Sequence, residues 1–182
     1  MLFRSEGAAP FGAIEEGGYH HYATYLKRQI QVEAEEKVPE GKMAKLLYDM
    51  YQPDCAKYAE ESDVPQIYEL LLENFDLQAD HIPSEDDLLQ IVKEKEVMIY
   101  KIGDKIECFF IYRREGKKLY CAFSYNHASA DILYSIERRV KEIEYEENGI
   151  KMHYAWFNAE NKKALRRNAW KDTKIRDYIF VK

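Results

Sequence analysis

Apolar and polar residues alternate in blocks along the second half of the chain. Lys118 to Ser124 has the composition of a strand, residues 125–130 that of a loop, and residues 130–147 that of a long helix. The helix is predicted by apolar residues that recur on one face of a 3.6-residue period. These residues are Ile132, Leu133, Ile136, Val140 and Ile143. A helix entered from a short loop presents N-terminal N–H groups to an anion.

The same analysis predicts alternating strands and helices from residue 54 onward. Proline and N-cap residues around Ser62 and Ser84 mark two helix starts, and Gly103 with Asp104 suits a two-residue hairpin turn. Asn158 and Asn161 mark the entry to a further predicted helix, which runs through Ala164, Leu165 and Asn168. The predicted order is β, α, α, β, β, β, α, β, α, β. Its strands comprise residues 55–60, 97–102, 105–113, 118–124, 150–157 and 175–181.

The first fifty residues differ from the rest in texture. Tyr19 to Glu36 is predicted to be a helix, because Tyr19, Tyr22, Leu26 and Ile30 align roughly on one face. Pro39 and Gly41 interrupt that pattern, and a short second helix is predicted from Met43 to Met50. We therefore expect a helical N-terminal extension, residues 1–53, that packs on a main domain, residues 54–182.

Composition narrows the functional classes. With 182 residues and 46% hydrophobic content, the chain can form a substantial core. Its net charge of -6 argues against a nucleic-acid binder, since such domains are usually basic. No apolar run approaches the length of a membrane span. Three cysteines, Cys55, Cys108 and Cys121, lie in apolar contexts, which favours reduced thiols in a cytoplasmic protein.

Few residues are candidates for chemistry. Glu107 would be a base if its side chain faced a cleft, although a strand residue of this kind more often faces solvent. His127, in the loop before the long helix, could contact a phosphate or accept a proton. The adjacent residues His20 and His21 would point apart on a helix, so we expect no metal site there. Ser129 could simply cap a structural helix.

Two segments resemble the GNAT superfamily of acyl-CoA-dependent N-acyltransferases, and the resemblance covers residues 54–182. Residues 58–68 look like the family's first strand and helix opening, and residues 154–164 are similar to its fifth strand and following helix. The family's pyrophosphate loop, Arg/Gln-x-x-Gly-x-Gly/Ala, aligns with residues 125–130. Only Ala130 fits that pattern, because Tyr125 and Ala128 replace the basic or amide residue and the glycine.

The resemblance implies an α/β fold of α+β type, with a mixed, mostly antiparallel sheet flanked by helices. It also implies that an amine attacks the thioester of acetyl-CoA or another acyl-CoA where the strands ending at Ser124 and Phe157 splay apart. Glu107 or His127 would remove the proton from the amine. Binding of the cofactor is expected from Phe123, Ser124, Asn126, His127, Ala128, Ser129, Ala130, Asp131 and Asn161.

Two features leave an alternative open, a catalytically inactive GNAT-like module that binds a ligand or partner. One is the altered loop, and the other is Asn168, which stands where the family often has a tyrosine that protonates the departing thiolate. The expected acceptor is a small-molecule or peptide amine. The resemblance implies a sheet that ends in a hairpin, whereas only Ile175 to Val181 follows the last helix here and would be an edge strand. We expect the N-terminal extension or, in a homodimer, a second copy of the chain to cover this edge.

Overall fold

The computed structural model describes residues 2–3, 11–34, 36–167 and 170–182. Its strands are β1 (Leu2–Phe3), β2 (His20–Gln31), β3 (Lys57–Tyr58), β4 (Val97–Ile102), β5 (Lys105–Glu115), β6 (Lys118–Asn126), β7 (Met152–Asn158) and β8 (Lys171–Val181). Its helices are α1 (Phe11–Glu16), α2 (Lys42–Asp49), α3 (Val64–Asn74), α4 (Glu85–Lys93), α5 (Ala130–Asn148) and α6 (Lys162–Arg167), with a 3-10 turn at Glu61–Asp63. The predicted α/β class is confirmed.

The chain forms two compact units. One comprises residues 1–30, 77–81 and 154–182, and the other comprises residues 31–76 and 82–153. Each unit contains residues from before and after residue 53. The division into an N-terminal extension and a main domain stays a prediction. No helix within the described ranges combines the length and the hydropathy that a membrane span requires.

The larger unit is built on an antiparallel meander of β3, β4, β5 and β6. Gly103 and Gly116, both at φ +61°, form the two hairpin turns, which is a backbone conformation that glycine adopts without steric cost. Residues of β5 alternate between two cores. Phe109 and Ile111 pack with α3 and α4, whereas Phe110 and Tyr112 pack with α5. The meander is therefore covered by helices on both faces.

The smaller unit has the strand order β1-β8-β2-β7. Here the prediction of a helix from Tyr19 to Glu36 is wrong, because these residues form β2 over most of their length. β2 pairs antiparallel with β8 from His20, opposite Val181, to Gln29, opposite Lys171. A hydrogen bond from the Ala159 N–H to the Thr24 carbonyl (2.8 Å) joins β2 to the segment after β7.

Burial explains why the pattern of β2 was ambiguous. Residues 23–30 are all half-buried, so neither face of the strand is distinctly apolar. The four aligned residues Tyr19, Tyr22, Leu26 and Ile30 fit a helical stripe by coincidence of spacing. Pairing with neighbouring strands decides the conformation, and it overrides local propensity.

The edge expected at residues 175–181 is covered by the N-terminal part of the chain, which was one of the two coverings predicted for it. β8 lies between β2 on one side and β1 on the other, with Leu2 opposite Ile179 and Phe3 opposite Tyr178. The resemblance implied a sheet that ends in a C-terminal hairpin. The antiparallel partner of β8 comes instead from the N-terminal part of the chain. The argument for a homodimer from an open edge therefore no longer holds.

The other predicted elements are confirmed with shifted ends. α5 spans Ala130–Asn148 and ends at Gly149, which adopts the left-handed conformation (φ +62°) of a helix C-cap. α2 matches the predicted short helix after Gly41, and α4 is capped by Ser84, whose hydroxyl accepts the Asp87 N–H. Only the first strand is much shorter than expected, at Lys57–Tyr58. Asn168 lies outside the described residues.

A buried carboxylate ties α5 to the meander. Glu144 is fully buried and forms a bidentate pair with Arg114, whose Nε and Nη2 lie 2.8 Å from its two oxygens. The Tyr112 hydroxyl (3.0 Å) and the Asn148 amide (2.8 Å) also donate to it. The hydrogen bonds to Glu144 raise the pKa of Arg114, so the guanidinium stays charged.

We expect Arg114→Met to destabilise the chain strongly, because it leaves the Glu144 charge buried without its cation. Loss of one partner from a buried pair costs about 3–5 kcal/mol. The free energy of unfolding in urea, followed by circular dichroism, measures the change. Arg139→Met is the matched control, since the Arg139 side chain is 38% exposed and lies 3.8 Å from Glu142, and it should cost less than about 1 kcal/mol. Equal losses in the two variants would contradict the assignment.

Candidate functional site

The β5–β6 pairing brings the two predicted catalytic residues together. Cys108 lies opposite Asn126 and Phe109 opposite Tyr125, so the next position on each strand places Glu107 against His127. Side chains of directly opposed antiparallel residues stand on the same face. Glu107 and His127 were independent candidates in the sequence, and in the structure they form one pair.

Hydrogen bonds define this pair closely. His127 Nδ1 lies 2.7 Å from Glu107 Oε2, and Lys105 Nζ lies 2.7 Å from Glu107 Oε1. The Glu107 side chain is only 11% exposed, whereas the side chains of Lys105 and His127 are 63% and 67% exposed. The bond from Lys105, followed by that from His127, holds the pKa of Glu107 below its ordinary value. Glu107 is therefore a charged hydrogen-bond acceptor, and the His127 imidazole is the accessible group.

The backbone of Glu107 also controls the loop. Its carbonyl accepts the N–H of His127 (2.8 Å) and the N–H of Ala128 (3.2 Å). These are two of the N–H groups that the resemblance would assign to a pyrophosphate. The Asn126 side-chain amide donates to the Ser129 carbonyl (3.2 Å), which closes the loop on itself. Ser129 is the N-cap residue of α5, but its side chain makes no capping hydrogen bond.

The first turn of α5 can attract an anion in the way that any helix N-terminus does. N–H groups at this position have no acceptor within their own helix, and the dipole favours negative charge. Asp131, however, places a buried carboxylate in that turn, and the Gln52 side-chain amide lies 3.5 Å from it. The Gln52 N–H also donates to the Ser135 hydroxyl (3.0 Å). An anion at this helix start would meet a negative charge from Asp131.

The remaining predicted cofactor residues serve the fold in visible ways. Phe123 is buried at the core of the larger unit, where its ring packs edge-on against Phe75. Ser124 is exposed and lies opposite Phe110 in the sheet. Asn161 belongs to the smaller unit, and its side-chain oxygen accepts the Ala164 N–H (3.0 Å), so it caps α6. Their roles toward a cofactor stay predictions.

Lys105 and Gln52 are residues that the sequence analysis did not select. A signal for Lys105 was present, because it stands two residues before Glu107 on a strand and therefore shares its face. No comparable signal existed for Gln52, whose position depends on a tertiary contact with α5. Among the described residues, no three histidine, cysteine or carboxylate side chains cluster as metal ligands.

The other histidines lie outside this pair. His153 is fully buried, and burial keeps the pKa of its imidazole well below the ordinary value. His20 and His21 are exposed on β2, and His21 Nε2 lies 2.9 Å from the Thr24 hydroxyl. They lie on a strand, so the argument from helix geometry against a metal site there does not apply.

Comparison with solved structures identifies the fold. A GCN5-related N-acetyltransferase from Sphaerobacter thermophilus superposes with a TM-score of 0.65 at 15% identity, over 98% of this chain and 57% of that protein. One from Kribbella flavida gives 0.55 at 11% identity, over 98% of this chain and 41% of its own length. A tandem GNAT protein of clavulanic acid biosynthesis superposes with a TM-score of 0.55 at 8% identity, over 99% of this chain and 61% of that protein.

Sequence comparison adds no closer relationship. No protein-family model matches the chain, and no curated protein matches it. The chain spans about half the length of the Sphaerobacter and Kribbella proteins that it resembles. Identities of this size establish a shared fold, and the predicted fold class is confirmed. The chain has the fold of the GNAT superfamily, in a divergent form.

Proposed function

We propose that the chain is a divergent acyl-CoA-dependent N-acyltransferase in which His127 is the general base. The observation that carries the proposal is the Glu107–His127 pair, with a buried carboxylate 2.7 Å from Nδ1 of an exposed imidazole. A carboxylate in this position fixes the tautomer in which Nδ1 holds the proton, and it leaves Nε2 to accept another. The GNAT fold and the named acetyltransferases among its neighbours support acyl transfer as the reaction.

In the proposed reaction, His127 Nε2 removes a proton from the acceptor ammonium. The amine nitrogen then bonds to the thioester carbonyl carbon and the carbon–sulfur bond breaks. The nitrogen releases its second proton to solvent to give the amide, and CoA leaves as a thiolate that takes a proton from solvent. Glu107 stabilises the imidazolium that forms at His127, because its carboxylate stays ionised. The acceptor is a small-molecule or peptide amine, and no metal takes part in the proposal.

Binding of the CoA pyrophosphate is supported at one part of the loop only. The N–H groups of His127 and Ala128 already donate to the Glu107 carbonyl, and Ala128 adds a Cβ where glycine permits close approach. The start of α5 at Ala130 supplies the remaining donors, which a neighbouring Asp131 carboxylate opposes. We therefore expect weaker CoA binding than a complete glycine loop would give.

The second candidate is a GNAT-like module that binds a ligand or partner without catalysis. Its support is the engagement of the two loop N–H groups by Glu107, together with the buried Asp131 at the helix start. Calorimetry with CoA and a transfer assay with acetyl-CoA separate the two candidates. The inactive module is favoured if CoA does not bind and if no CoA thiol is released with any of a panel of primary amines.

We expect His127→Gln to lower kcat/KM for acyl transfer by about 10²–10⁴-fold, the usual contribution of a general base. Glutamine keeps a polar side chain of similar reach but cannot take the proton. Release of CoA thiol from acetyl-CoA, at fixed amine concentration, measures the effect. The matched control is His20→Gln, an exposed histidine of the smaller unit, which should transfer acyl groups like the wild type. If the kcat/KM of His127→Gln stayed within about twofold of the wild-type value, His127 would not be the base.

A further inference from the structure

Lys105 shares one carboxylate with the proposed base. Its ammonium contacts Glu107 Oε1 at 2.7 Å, while His127 Nδ1 contacts the other oxygen, Oε2, at the same distance. Lys105 stands on β5, two residues before Glu107, so the pairing follows from the alternation of side chains along one strand. Glu107 therefore lies between Lys105 and His127 in a chain of contacts, and it is the most buried of the three side chains.

We propose that Lys105 is a positioning residue that holds the Glu107 carboxylate charged and in one orientation toward His127. The part of this proposal that concerns acyl transfer rests on the proposed function. The Lys105 ammonium contacts Glu107 Oε1, while His127 Nδ1 contacts Oε2. Lys105 acts through Glu107.

Geometry and electrostatics support this role together. A carboxylate with both oxygens bonded has one favoured rotamer, so its Oε2 stays within reach of Nδ1. Without Lys105, Glu107 would keep the hydrogen bond to His127 Nδ1 but lose the contact to its Oε1. The bond from Lys105 is the largest influence that lowers the pKa of Glu107, and the bond from His127 is the next. Tyr125 is the other titratable group that acts on Lys105, and it adds to the rise in the lysine pKa that Glu107 causes.

The direction of the pH effect follows from the lowered pKa. Glu107 in the folded chain remains ionised below the ordinary glutamate pKa, so its hold on His127 is present above that value. The hold is lost as the pH falls through the lowered folded pKa. If Lys105 is removed, the same loss should occur at a higher pH.

Carboxyl ¹³C titration of glutamate-labelled protein tests the proposal, with Glu107→Gln to assign the resonance. In Lys105→Met the Glu107 midpoint should rise toward that of an unperturbed glutamate, and Lys105→Arg should keep it low because the cation remains. Lys118→Met is the control of equal charge change, since Lys118 stands at the far end of the β5–β6 hairpin. An unchanged midpoint in Lys105→Met would overturn the proposal.

Acyl-transfer kinetics supply the second readout, because a positioning residue acts on the chemical step and not on substrate binding. In Lys105→Met kcat should fall while the KM for acetyl-CoA stays near the wild-type value, and Lys105→Arg and Lys118→Met should keep both. A raised Glu107 midpoint with an unchanged kcat would overturn the positioning role. A wild-type chain that transfers no acyl group would end the proposed function, and the titration would then decide by itself whether Lys105 holds the charge of Glu107.

Discussion

The pairing of β5 with β6 at Glu107 is the constraint on which the candidate site depends. Once Cys108 lies opposite Asn126, the Glu107 carbonyl faces the N–H groups of His127 and Ala128, and its carboxylate faces the His127 ring. One residue therefore sets both the backbone of the loop and the orientation of its histidine. A shift of register by one residue would move Glu107 to the opposite face of the sheet and break both arrangements.

Under the proposed function, this constraint limits how the loop can bind a pyrophosphate. A pyrophosphate loop needs N–H groups without internal partners. Two N–H groups of this loop donate to the Glu107 carbonyl, and Asp131 places a buried carboxylate at the helix start. The same two bonds hold the backbone at His127, the proposed base.

The sequence predicted most of the larger unit because its signals there are local. Gly103 and Gly116 specify hairpin turns, Ser84 specifies a cap, and the stripe from Ile132 to Ile143 specifies α5. Glu107 and His127 were each selected as candidates. Their contact depends on strand register, which the sequence analysis did not assign.

The smaller unit was predicted poorly because its organisation depends on distant pairing. Residues 23–30 of β2 are all half-buried, so the pattern contained no alternation to identify a strand. β8 was predicted as a strand whose edge needs a cover, but nothing in residues 171–181 indicates which N-terminal residues pair with it. An N-terminal strand takes the place of the second strand of a C-terminal hairpin. The residues near β8 carry no local signal of this exchange.

An amide ¹H–¹⁵N NMR titration of the intact chain with CoA tests most directly whether the bonds to the Glu107 carbonyl limit binding at the loop. The account predicts shifts at Ala130 and Asp131, where α5 begins, and little change at His127 and Ala128, because their N–H groups remain bonded to the Glu107 carbonyl. Large shifts at His127 and Ala128 would show that the ligand displaces those bonds. That result, or the absence of shifts at all four residues, would contradict the account.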